Sequence, residues 1–222
     1  MFLSVLLLLS FSICYVVPPL HIAVRSDNSD YIKTLLSKEG TDVNIKDTFG
    51  WTALHLAAKN GRTDCLTELL KADAIKVNLQ NNNGWTALHL AAKNGHTDCL
   101  KELLKCVDSE ETEKNIDVNT KDNNGRTALH LAARYNQVEC IVELLKAPNI
   151  DPTITDNHGW TAENFAVRYG TQECLHTLLG LPYSEETEVD DVTTGDSDSE
   201  SDVSAEGEGI GSLNAAGSEA ML

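Results

Sequence analysis

The chain copies itself. Residues Gly84 to Leu104 read GWTALHLAAKNGHTDCLKELL, and nearly the same letters recur from Gly50 to Leu70, from Gly125 to Leu145 and from Gly159 to Leu179. A shortened copy, LHIAVRSDNSDYIKTLL, runs first, from Leu20 to Leu36. The Leu-His pair stands at 20, 54, 88 and 129 and becomes Glu163-Asn164 in the last copy, so the intervals are 34, 34, 41 and 34 residues. A period in this range confines the chain to architectures in which one small supersecondary unit is stacked on the next.

One unit can be read from its letters. Thr86 offers a hydroxyl cap to a short helix whose small and apolar residues lie between Ala87 and Lys93, and Gly95 supplies the left-handed residue that ends it. A second helix starts near Thr97 and places Cys99, Leu100, Leu103 and Leu104 on one stripe. An extended stretch of the Asp42-to-Asn44 type and an Asn/Asp/Gly turn such as Asn81 to Gly84 then lead to the next copy. No such unit buries its apolar side alone, so stability comes from contacts between neighbours.

The motif TALHLAA at Thr52 to Ala58, Thr86 to Ala92 and Thr127 to Ala133, with PLHIAV at Pro19 to Val24, resembles the ankyrin-repeat family. The resemblance implies an all-α repeat solenoid of stacked helix-turn-helix units joined by hairpin loops, and covers residues 18–182 in five units: 18–49, 50–83, 84–124, 125–158 and 159–182. It also implies a protein-interaction module whose partners meet the hairpin tips and the exposed face of helix one, forming a groove. An exported effector using the same groove, or a regulatory subunit of an enzyme, are the alternatives.

Charge narrows the partners. All 17 Lys and Arg residues lie between Arg25 and Arg168, and residues 1–182 hold 22 acidic residues, whereas residues 183–222 hold 12 acids and no base. A chain of this balance lacks the basic face that phosphate neutralisation demands, which argues against nucleic acid. Catalytic signatures such as GxSxG, HExxH or a Gly-rich phosphate loop are missing from the sequence, and the reading is non-enzymatic, with no cofactor, no metal and no small-molecule substrate. His55, His89 and His130 recur once per unit, about 10 Å apart in a stack, too far to share a metal. Cys65, Cys99, Cys140 and Cys174 share one register in the same way and read as unpaired core residues; Cys14 and Cys106 stand outside that register and are the two thiols open to reaction. A monomer is expected.

Three segments interrupt the periodicity. Residues 1–17 carry no charged side chain and fit the apolar core of a secretory signal, an N-terminal cap over the first unit, or a start inherited from a truncated gene. The compartment, cytoplasm or secretory pathway, depends on that choice. Seven extra residues between Cys106 and Asn115 form an acidic loop whose SEETE string recurs at Ser184 to Glu188. Residues 183–222 have the composition of a disordered tail, in which Ser197, Ser199 and Ser201 alternate with acids as acidophilic kinase targets do; a solubilising tail is the alternative.

Four positions define the expected binding face. After the turn glycine stand Trp51, Trp85, Arg126 and Trp160, read either as a ladder with Arg126 between two indoles or as rings that each shield their own hairpin. Phe49 occupies the first hairpin tip. Helix one ends in Lys59, Lys93, Arg134-Tyr135 and Arg168-Tyr169, a basic row suited to an acidic partner segment or to the chain's own tail, or a set of solvated helix ends. Asn44 and Asn119 match, by the resemblance, positions that asparaginyl hydroxylases modify; holding the hairpin is their structural alternative.

Overall fold

The fold comes from a computed structural model that describes residues 17–107 and 114–180. Among these residues it has ten helices and no strand. They come in five pairs: α1 (Pro19–Arg25) and α2 (Ser29–Leu36), α3 (Ala53–Asn60) and α4 (Thr63–Leu70), α5 (Ala87–Asn94) and α6 (Thr97–Leu104), α7 (Ala128–Arg134) and α8 (Val138–Leu145), α9 (Ala162–Tyr169) and α10 (Gln172–Leu179). First helices pack on first helices, in the order α1, α3, α5, α7, α9, and second helices on second helices. The expected all-α stack is what the chain adopts.

Residue size explains the close approach of the inner row. Ala57, Ala58, Ala91, Ala92, Ala132 and Ala133 are wholly buried between first helices, where a longer side chain would hold the axes apart. The second row is filled by Leu66, Leu69, Leu100, Leu103, Ile141 and Leu144, all fully buried, with one cysteine per unit beside them. Val43, Val77 and Val118, from the extended stretches, close the core on the hairpin side.

Each first helix starts the same way. The Thr52 Oγ1 accepts the His55 N–H, and the His55 Nδ1 accepts the Thr52 N–H at 3.1 Å, a reciprocal capping box with histidine in the place usually held by Glu or Gln. The boxes Thr86/His89 and Thr127/His130 repeat it. Because a backbone N–H can only donate, Nδ1 is the acceptor and the proton sits on Nε2. That proton is then given to the next unit: His55 Nε2 donates to Trp85 O at 2.9 Å, His89 to Arg126 O at 3.0 Å and His130 to Trp160 O at 2.9 Å. His21 reaches Trp51 O at 2.8 Å, but Pro18 has replaced the capping threonine and its Nδ1 is buried without a partner.

The ends differ for physical reasons. In the last unit Asn164 keeps the box with Thr161 but offers no long donor, and among the described residues no further hairpin follows to receive one. At the other end Pro19 takes the first helical position, where its missing N–H costs nothing. The inserted stretch leaves the stack intact: Ile116 N donates to Cys106 O at 3.2 Å and closes its neck, and α6 still packs on α8. The SEETE string of the loop, like the apolar leader and the tail with Ser197, Ser199 and Ser201, lies outside the described residues.

Candidate functional site

The hairpins are built on an Asx turn that repeats as Asp47-x-x-Gly50, Asn81-x-x-Gly84, Asp122-x-x-Gly125 and Asp156-x-x-Gly159. In each, the Oδ1 of the first residue accepts the N–H groups two and four positions on, at 2.8–3.0 Å. Gly84 has φ +77°, and a Cβ there would come within 2.6 Å of the Asn123 backbone nitrogen, so only glycine fits.

Neighbouring hairpins are laced together by side-chain amides. Asn82, Asn123 and Asn157 each donate both their backbone and side-chain N–H groups to carbonyls of the preceding tip. Asn44 donates to Ala74 O at 2.7 Å and accepts from Lys76 N at 2.9 Å, and Asn119 does the same with Asn149 O and Asp151 N. Asn78 forms the rung between them, through Asn115 O and Asp117 N. A third row runs through Lys46 Nζ to Gln80 O, Gln80 Nε2 to Lys121 O and Lys121 Nζ to Thr155 O. Three rows of bonds therefore hold the tips in fixed spacing.

On the helix-one side the cations lie over aromatic rings. Lys59 sits 5.2 Å from the Trp51 ring centre and Lys93 4.5 Å from that of Trp85. The same Lys93 is 5.0 Å from the Tyr135 ring of the next unit, and Arg134 is 5.1 Å from Tyr169 of the unit after. Arg168 stands over both Trp160, at 5.3 Å, and Tyr169, at 5.6 Å. Lysine side chains on a helix lean toward its N-terminus, which brings the end of helix one back over the ring that precedes it. Phe49 is exposed at the first tip. Lys59 lacks a ring from the next unit because Asn94 holds the place of Tyr135.

Arg126 departs from the expected ladder. Its side chain is 8% exposed, and its Nε donates to Asp122 Oδ2 at 3.0 Å rather than stacking between indoles. The Trp85 indole N–H donates to the same oxygen, also at 3.0 Å. A buried guanidinium needs a carboxylate partner, and Asp122 already lies at the turn four residues earlier. Asp122, Asn78 and the Asn82 row had a sequence signal in the Asx-x-x-Gly spacing and in the recurring asparagines, but one repeated letter does not say which neighbour it touches.

The titratable groups inside the stack are held away from charge. Burial lowers the His55 pKa to about 4 and moves His89 and His130 in the same direction. Burial pushes the Cys65 and Cys174 thiols up to about 11, and those of Cys99 and Cys140 also upward. Cys106, half-buried, is raised by the same cause, which counts against a reactive thiolate there. Among the described residues no group of three or more His, Cys, Asp or Glu side chains is arranged to hold a metal ion.

Helix pairs in register, hairpins laced at their tips and a repeated surface on helix one define a class of repeat solenoid. A family model described as ankyrin repeats (3 copies) matches residues 20–115 and 112–191, so the chain belongs to the ankyrin-repeat family. Ankyrin repeats are generally protein–protein interaction modules. Comparison with curated proteins finds no match.

Proposed function

We propose that this chain is a non-enzymatic binding module that takes an acidic segment of a protein partner on the face formed by the hairpin tips and the ends of the first helices. The supporting observation is a contrast between the two helix rows. On the second helices and at their C-caps Lys33, Lys71, Lys101, Lys105 and Lys146 are each within ion-pair distance of Glu or Asp. On the first helices Lys59, Lys93 and Arg168 rest on rings instead, and pair with no carboxylate among the described residues.

A ring face attracts a cation without neutralising it, so charge and aromatic surface are presented together. Such a surface combines electrostatic steering with Trp, Tyr and Arg, the residue types that most often dominate binding energy. Trp51, Trp85 and Trp160, flanked by Phe49, Tyr135, Arg134 and Tyr169, supply the apolar part, and Arg126 is tied to Trp85 through their shared acceptor Asp122. Because the protein has three tryptophans and all are on this face, their fluorescence reports occupancy. Titration with short poly-glutamate at low salt should shift the emission and saturate, whereas poly-asparagine should not. An emission unaffected by poly-glutamate removes the reading.

A further inference from the structure

We infer that the acidic segment lies along the solenoid in an extended conformation with an anionic side chain at every third residue, each facing one of Lys59, Lys93, Arg134 and Arg168. The inference rests on the acidic-partner reading and deepens it. The four cations occupy one register of successive units, and packed helices lie about 10 Å apart. An extended chain advances about 3.3 Å per residue, so one unit matches three residues.

Two features of the surface hold that match. The tips are spaced by the asparagine rungs Asn82, Asn123 and Asn157, so a bound chain meets a preformed ruler. Two of the cations rest on a ring of the next unit as well: Tyr135 lies beneath Lys93 and Tyr169 beneath Arg134. Charge and aromatic surface are therefore presented together at each step of the row. A peptide with acids at every third position can set one acid against each cation, whereas contiguous acids must crowd one cation and leave others unmatched. The seven-residue insertion does not disturb the ruler, since it enters after α6 and the first helices α5 and α7 pack directly.

Two decapeptides of one composition test the register: Asp-Ser-Gly-Asp-Ser-Gly-Asp-Ser-Gly-Asp, and the same residues with the four aspartates contiguous. Their affinities for the full chain are read by tryptophan fluorescence at low salt, and replacement of single aspartates by asparagine is combined with Lys59→Gln and Lys93→Gln. The spaced peptide should bind at least tenfold more tightly, and aspartates three residues apart should couple to Lys59 and Lys93 respectively. Equal or tighter binding of the contiguous peptide overturns the register while leaving the acidic-partner reading in place. Failure of both peptides, where poly-glutamate still binds, also overturns the register; failure of all three removes both.

Discussion

The indole N–H of Trp85 and the guanidinium of Arg126 meet on one oxygen, Asp122 Oδ2, each at 3.0 Å. Trp85 belongs to the third unit and Arg126 to the fourth, so a single buried carboxylate joins two positions of the surface row and fixes the turn between them through its other oxygen. Removing it leaves a buried cation unpaired. Asp122→Ala should cost about 3–5 kcal/mol, whereas Trp85→Phe, which keeps the ring and loses one bond to a charged acceptor, should cost about 1.5–3 kcal/mol. Urea unfolding followed by far-UV circular dichroism measures both; because stability is a sum of neighbour contacts, Asp122→Ala should also broaden the transition. Equal midpoints for the two variants would refute the shared acceptor.

The Asx row contains one mismatch. Asn81 stands where Asp47, Asp122 and Asp156 stand in the other hairpins, and its Nδ2 is buried without a partner. A carboxylate oxygen in that place would hold the register of Asp122 Oδ2, which accepts the indole N–H of Trp85, and Trp51 holds the register of Trp85. Asn81→Asp should therefore raise stability by about 0.5–1.5 kcal/mol, seen as a higher melting midpoint. A lowered midpoint would show that the amide nitrogen has a role of its own.

Acid should loosen the stack before the carboxylates titrate. Burial holds the His55 pKa near 4 against an ordinary value of 6.5, so the folded chain refuses a proton that the unfolded chain accepts. Stability is complete above about pH 6.5, declines as pH falls below it, and the loss from this residue is finished near pH 4. A shift of this size is worth roughly 3 kcal/mol. The protein should unfold at lower urea at pH 5.5 than at pH 7.5. His55→Asn keeps the cap, as Asn164 does, and should flatten that slope while lowering stability overall through the loss of the bond to Trp85 O.

Glycine at the second turn is a steric requirement. Gly84→Ala adds a Cβ against Asn123 and forces a side chain into φ +77°. The left-handed conformation alone costs about 1–2 kcal/mol. Because the clash is with backbone, the total should exceed that, and a midpoint unchanged from the native chain would contradict the packing of adjacent tips.

Much of this was readable from letters. Thr86, Gly95, Cys99 and Leu103 fall where the 3.6-residue period and the caps put them, because those signals are local and each unit repeats them. The placement of Lys93 over Trp85 was not legible, since a row of cations and a row of indoles are separated by eight residues and only the fold brings them together. Arg126 misled because it occupies a tryptophan's register. Its letter gave no sign that Asp122, four residues earlier, would draw it inward. Asn78 escaped notice because Lys76 breaks the Asp-Val-Asn pattern, while the amide contacts that matter belong to the asparagine alone.

The claim at the centre is that Lys59, Lys93 and Arg168 act on a partner rather than on the fold. The triple variant Lys59→Gln, Lys93→Gln, Arg168→Gln, titrated with poly-glutamate by tryptophan fluorescence, addresses it most directly, with its melting midpoint measured alongside. At least a tenfold loss of affinity with the midpoint changed by only a few degrees is the expected result. Undiminished affinity, or a collapse of stability that accounts for the loss, would contradict it.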